Sequence, residues 1–137
     1  MSERSNWNER VIEEFRANGG NVEQFKGVPL LLLHHKGAKS GRDYINPLAF
    51  LPDDGRWVVF GSKGGAPGNP DWYFNLKANP DVKVELGSGE IIDATASFAE
   101  GAEHERLYNA QVARVPVFDD YRKRTSRVIP VVVLTRR

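Results

Sequence analysis

The hydrophobic positions along the chain fall into blocks of two different periods. Near the start, Trp7, Val11, Ile12 and Phe15 recur at helical spacing among charged residues. This predicts an amphipathic helix that Ser5 or Asn6 can cap and that runs to about Asn18, with Gly19 and Gly20 as its stop. From Val28 to His35 the run is almost continuously apolar. The stretch G-A-K-S-G from Gly37 to Gly41 reads as a turn, and Tyr44 to Leu51 follows with bulky and β-branched residues, so a hairpin is predicted. A second turn signal, P-D-D-G from Pro52 to Gly55, leads into Arg56 to Gly61 as a third strand. The expected arrangement of the three is an antiparallel meander.

Beyond Gly61 the pattern breaks. Ser62 to Asn69 is too rich in glycine and proline for regular structure, and Pro70 opens a short helix from Asp71 to Ala78. Val82 to Leu86 and Glu90 to Phe98 alternate around Gly87-Ser-Gly89, which predicts a second hairpin with one wet face. A helix from Ala102 to Ala113, a further helical piece holding Phe118 and Tyr121, and a last strand from Val128 to Leu134 complete the order. Hairpin-linked strands with helices gathered between them point to an α+β fold whose antiparallel sheet can close into a barrel. The 137 residues suit one domain, residues 1–137, and one site.

Composition narrows the chemistry. The chain has no cysteine, which removes disulfides, thiolate nucleophiles, iron–sulfur clusters and cysteine-ligated zinc, and agrees with a cytoplasmic location. Charged residues make up 27% of the chain and the net charge is +1, so no broad basic coat for nucleic acid is present. No apolar run approaches the roughly 20 residues that would span a bilayer. The three histidines show no metal-ligand spacing, and no metal site is assigned.

Two segments stand out as binding chemistry. Lys36, Lys39 and Arg42 surround Gly37, Ser40 and Gly41 at the first hairpin tip, where fixed cations and close backbone amides suit a phosphate or carboxylate; a plain solvated tip is the alternative. Ser62, Lys63, Gly64, Gly65 and Ala66 form a strand end stripped of side chains, where a flat ring can lie on the backbone; the alternative is a wide turn. Trp72 with Asn75, and Phe118 with Tyr121, each share a helix edge through i, i+3 spacing. Core packing accounts for most such aromatics, while Asn75 is harder to explain that way.

Six strings in this order resemble the deazaflavin-dependent nitroreductase family of actinobacteria: G-A-K-S-G-R (37 to 42), N-P-L (46 to 48), S-K-G-G-A-P (62 to 67), N-P-D-W-Y-F-N-L (69 to 76), A-N-P (78 to 80) and R-V-I-P-V-V-V-L (127 to 134). The resemblance implies an antiparallel split β-barrel with an N-terminal helix and further helices around it, related to flavin-binding split barrels. It implies coenzyme F420, a deazaflavin, as the cofactor, and hydride transfer to a small electron-poor acceptor such as a quinone, a nitro compound or a conjugated carbonyl. By the same resemblance Lys36, Lys39, Ser40, Gly41 and Arg42 meet the acidic tail. Pro47, Leu48 and Ser62 to Ala66 lie along the ring, and Trp72 and Asn75 complete the wall. Trp7, Phe15, Phe118 and Tyr121 shape the acceptor pocket, with Tyr121 as a proton or hydrogen-bond donor.

The absence of a nucleophile, metal or catalytic dyad fits a cofactor that carries its own chemistry. FMN in the same fold, and a non-catalytic deazaflavin store, stand as alternatives. The expected partner is a small molecule and not a nucleic acid. A homodimer is an open alternative because related barrels often pair, and a peripheral membrane position follows if the acceptor is a lipid quinone.

Overall fold

The computed structural model describes the backbone of residues 3–137 and the side chains of residues 7–137. Eleven elements follow in order: α1 (Glu3–Ala17), β1 (Leu30–Lys36), β2 (Asp43–Ala49), β3 (Leu51–Asp53), β4 (Arg56–Phe60), α2 (Asp71–Ala78), β5 (Asp81–Glu85), β6 (Ile91–Phe98), α3 (Gly101–Arg114), α4 (Val117–Arg124) and β7 (Val131–Arg136). The strands form one antiparallel sheet in the order β2-β1-β5-β6-β7-β4-β3.

The two edges of this sheet, β2 and β3, are consecutive in the chain and separated only by Phe50. Two Cα steps reach at most roughly 7 Å. The sheet therefore has to curl until its edges nearly touch, which makes it a barrel. Among the described residues no ladder bonds join β2 to β3, so the barrel is split along that seam. The fold is the α+β split barrel expected. The meander expected of the first three strands is not formed: β1 and β2 pair, but β4 lies across the barrel beside β7. Phe50 carries the chain from one edge to the other, and its N–H bonds to the Pro29 carbonyl at 3.1 Å.

Alternation along the strands decides which side chains fill the barrel. Leu31, Leu33, Trp57, Val59, Val82, Val84, Ile92, Ala94, Ala96, Val132 and Leu134 point inward and share one apolar cluster with Trp72 and Leu76 of α2. That helix closes one end of the barrel. On the outer face, α1 lays Val11 and Phe15 against Leu30 and Leu32, while α3 and α4 cover β4 and β7 through Leu107, Tyr108 and Phe118. Strands covered on both faces read as continuous apolar runs. The β5–β6 hairpin is wet on one face and reads as alternation.

Element boundaries depart from expectation at the first helix and the last strand. Ser5 and Asn6 lie inside α1 and not at its N-terminal boundary. The last strand begins at Val131 because Pro130 has no N–H to give the ladder, although its carbonyl accepts from Gly61 at 2.9 Å.

Two contacts lock α1 in place. Arg16 in its last turn makes a two-pronged bond to the buried Glu85 carboxylate, with both distances 2.8 Å, and His34 meets the same carboxylate at 2.8 Å. At the chain reversal after α1, a Cβ on Gly87 would lie 2.9 Å from the Gly20 Cα, so backbone meets backbone there. The Arg16 hydrogen bond, helped by His34 and opposed by burial, holds the Glu85 carboxyl below its ordinary 4.5.

Because Arg16 is half-exposed, Arg16→Ala is expected to cost about 2 kcal/mol in urea unfolding, less than removal of a partner from a fully buried pair. A depressed carboxyl contributes stability above its unfolded value and loses it as pH falls through the folded one. The gap between wild type and Arg16→Ala therefore closes on acidification below 4.5, which unfolding curves taken across that range will show.

Candidate functional site

A cleft of about 850 Å³ opens where the β1–β2 hairpin tip meets α2, lined by residues of the 35–46 and 70–75 stretches together with Asn8 of α1. This size is in the range of small-molecule sites, roughly 300–1,000 Å³. The tip is shaped by glycine at two points. A Cβ on Gly37 would press 3.0 Å from the Tyr44 ring, and Gly41 adopts φ 69°. Ser40 Oγ accepts from the Arg42 N–H at 3.2 Å, and the Gly41 N–H bonds back to the Gly37 carbonyl at 3.0 Å. Among the described residues the amides of Lys39 and Ser40 have no protein acceptor. Two unpaired donors beside an ammonium make a cradle for an anion.

A polar relay ties this tip to α2. Asn75 Oδ1 accepts from the Ala38 N–H at 2.9 Å, and its Nδ2 donates to His35 Nδ1 at 3.1 Å. His35 Nε2 donates to Asn46 Oδ1 at 2.7 Å, and the Tyr44 ring stacks on the imidazole at 5.8 Å. Burial pushes the His35 pKa below 6.5, against the pull of its Asn46 hydrogen bond.

The second segment, Ser62 to Ala66, is built differently. Ser62 is right-handed (φ −71°, ψ −38°), then Lys63 at φ 47° and Gly64 at φ 64° are left-handed, a sequence that turns successive N–H groups toward a common point. Lys63 holds this conformation at a cost of about 1–2 kcal/mol. Arg127 offsets that cost by bracing the loop from behind. It donates to the Ser62 carbonyl at 2.9 Å, the Ala66 carbonyl at 3.0 Å and Asn69 Oδ1 at 2.7 Å. Burial lowers its pKa, and among the described residues no carboxylate pairs with it. Gly65, at φ 83°, leaves no room for a side chain: a Cβ would sit 2.9 Å from Arg124 Cβ and 3.0 Å from the Tyr121 carbonyl oxygen.

Of the residues singled out from sequence, the cleft gathers Lys39, Ser40, Trp72 and Asn75. Lys36 and Arg42 flank the tip outside the lining, Lys36 beside Asp43 at 3.6 Å. Ser62 to Ala66 do not line it; Gly61, the residue before them, lies close to Pro70, which does, a Cβ there falling 3.4 Å away. The tip is thus bonded to Asn75 of α2, and Gly61 at the end of β4 lies against Pro70, the residue before α2. Leu48 packs on the interior cluster and Pro47 faces the other way.

The aromatics expected around the acceptor are mostly committed to packing. Phe15 is fully buried under α1, and Trp7 meets Phe25 edge-on at 6.0 Å. Phe118 is buried against Phe60 and Tyr108, while Tyr121 is half-buried on Phe118 at 5.1 Å. Sequence reasoning gave no site role to His35, Asn46, Tyr44, Asn8, Phe74 or Arg127. The signal for the first two is a polar residue on the inward face of a strand that is otherwise apolar on that face.

A family model described as F420H(2)-dependent quinone reductase matches residues 7–136, nearly all of the chain. The chain belongs to the F420H(2)-dependent quinone reductase family. The F420H(2)-dependent quinone reductase Rv1261c of Mycobacterium tuberculosis is 40% identical over 127 residues, covering 90% of this chain and 85% of that protein. Among solved structures, an F420-H2 dependent reductase (FDR-A) superposes with TM-score 0.71 at 39% identity, over 77% of this chain and 93% of its own. A chain described as a domain-swapped dimer gives TM-score 0.72 at 34% identity, covering 96% of both.

Membership in this reductase family makes the chain an F420-dependent oxidoreductase. The tip supplies what a polyanionic tail needs, namely an ammonium and unpaired amides, and the glycine loop, outside the cleft lining, supplies backbone free of a side chain at Gly64. The residues present therefore fit the cofactor.

Arg127→Met removes three anchors from a charged donor and is expected to cost about 2–3 kcal/mol. Hydrogen exchange will show the change concentrated at residues 62–69, with the β-ladders still protected; uniform loss of protection would contradict the bracing role.

Proposed function

We propose that reduced F420 binds along the line from the hairpin tip to the glycine loop and that the chain passes its hydride to a quinone-class acceptor. The observation that carries this reading is that the hairpin tip, with its anion cradle, is bonded to α2 at Asn75, while Gly61, which leads into the glycine loop, lies against Pro70 at the start of that helix. When bound, the deazaflavin supplies the hydride. Lys39 and the Lys39 and Ser40 amides hold the acidic tail, with Lys36 and Arg42 adding attraction from the flank. Trp72 is a rigid wall, since it is buried in the interior cluster and cannot swing away. Lys63, exposed on the glycine loop, offers an ammonium to the ring.

Alignment is the chain's main contribution to rate, because hydride transfer requires donor and acceptor within contact distance and water kept out. Tyr121, whose backbone carbonyl lies against Gly65, is the tyrosine of α4 and donates a hydrogen bond or proton to the reduced acceptor. Nitro compounds and conjugated carbonyls accept hydride by the same geometry. The domain-swapped relative supports a homodimer as the working form. Among the described residues no helix is long and apolar enough to cross a membrane. The cysteine-free composition agrees with a cytoplasmic site of action, at the membrane surface when the acceptor is a lipid quinone.

Deazaflavin fluorescence titration tests the binding half. Lys39→Ala and Lys63→Ala are each expected to weaken binding about tenfold, the loss of one charge-assisted contact. Reduced F420 is then expected to be oxidised on addition of menadione. A titration in which FMN binds and F420 leaves its fluorescence unchanged overturns the reading.

A further inference from the structure

We infer that His35 is a positioning residue for the anion cradle: as a neutral imidazole it fixes the Asn75 amide, which fixes the hairpin tip, and its protonation releases the tip and weakens the hold on an anionic ligand. The second half of this inference rests on the reading of the tip given under Proposed function. The first half stands on the chain's own geometry.

The relay admits one proton arrangement. Asn75 Oδ1 is occupied by the Ala38 N–H at 2.9 Å, so the amide must present its Nδ2 to His35. His35 Nδ1 therefore has to accept, and its proton must sit on Nε2, where Asn46 Oδ1 receives it at 2.7 Å. A second proton, on Nδ1, would set two donors against each other at 3.1 Å. Turning the Asn75 amide over relieves that conflict but points its NH₂ group at the Ala38 N–H. Either outcome breaks the bond that holds Ala38, the neighbour of the two unpaired amides. The remaining tether from α2, Asn79 Nδ2 to the Lys36 carbonyl, is long at 3.5 Å and lies before the turn.

Among the described residues no carboxylate is bonded to the ring, whose partners are Asn46 and Asn75. On its own strand, His34 points to the opposite face and is engaged with Glu85. The β2 strand offers Tyr44, stacked on the ring, and Asp43, which faces Lys36 at 3.6 Å. The tip contributes another cation, Lys39, and α2 contributes Asp71, at its first turn and in the cleft lining, and Lys77, which lies over Phe98. On β5, Lys83 is paired opposite His34 and bonded to Asp93. His35 itself is 4% exposed, so water does not solvate an added charge. Burial accordingly places its titration below the ordinary histidine value.

Two arms separate this inference from the functional reading. In the first, the protein alone is titrated by NMR, and the His35 ring and the Ala38 amide are expected to move with one shared midpoint below 6.5. An Ala38 amide that stays fixed while His35 charges overturns the relay, whatever the ligand. In the second, F420 affinity is measured by fluorescence across the same pH range and is expected to fall about tenfold as His35 protonates, the loss of one contact. Asn46→Asp puts a carboxylate on Nε2 and should raise both midpoints by about one pH unit. His35→Gln cannot titrate, so its binding profile loses that step. Identical profiles in wild type and Asn46→Asp overturn the inference. Absence of F420 binding at every pH, with Ala38 still tracking His35, overturns the functional reading and the ligand half of this one while leaving the relay standing.

Discussion

One residue of chain between the two edge strands is the constraint from which the rest of this architecture follows. Because β2 and β3 lie at opposite ends of the strand order and only Phe50 separates them, a flat sheet is geometrically impossible. Curling creates an inside and an outside, and each strand must then assign alternate side chains to one or the other. The inside is filled by Leu31, Leu33, Val59, Val84, Val132 and their neighbours, but a barrel this small is still open at its ends. Trp72 and Leu76 close one of them, which brings α2 against the hairpin tip. The cleft is thus a by-product of closing the barrel.

Rigid support and bare backbone divide the work in the site. Around the tip, side chains do the holding: Asn75, His35 and Asn46 form a chain of bonds whose far end is the Ala38 amide. Around the glycine loop, Arg127 holds from behind through carbonyl oxygens, Gly65 packs against Arg124 and the Tyr121 carbonyl, and Gly64 leaves open space where a side chain would stand. Both supports come from residues distant in sequence, so neither segment keeps its shape unless the whole barrel is folded.

Local chemistry made some of this legible in the sequence, and tertiary contact hid the remainder. The bounds of α2 were readable because Pro70 and Asn79-Pro80 punctuate it on both sides, and the β5–β6 hairpin because its one wet face leaves an alternating trace. The break at Phe50 left no mark, since a single apolar residue between two strands looks like more strand. Trp7 and Phe15 drew attention as aromatics, yet helical phase turns Phe15 into the sheet, and the α1 residue that lines the cleft is the polar Asn8. His35 and Asn75 are 40 residues apart and acquire their relation only when the barrel closes. Arg127 reads as one more cation in a basic stretch, and nothing in its neighbours announces that it turns inward.

That inward turn has an electrical consequence. Every oxygen that Arg127 bonds is neutral, so the guanidinium keeps its full formal charge at the back of a loop whose front is only backbone. Carbonyl dipoles attenuate such a field without cancelling it, and partial burial spares it from much of the screening by salt. A planar molecule resting on the loop experiences this potential whichever way the exposed Lys63 side chain happens to swing. The positive potential at the loop is therefore built into the scaffold and does not depend on any exposed side chain.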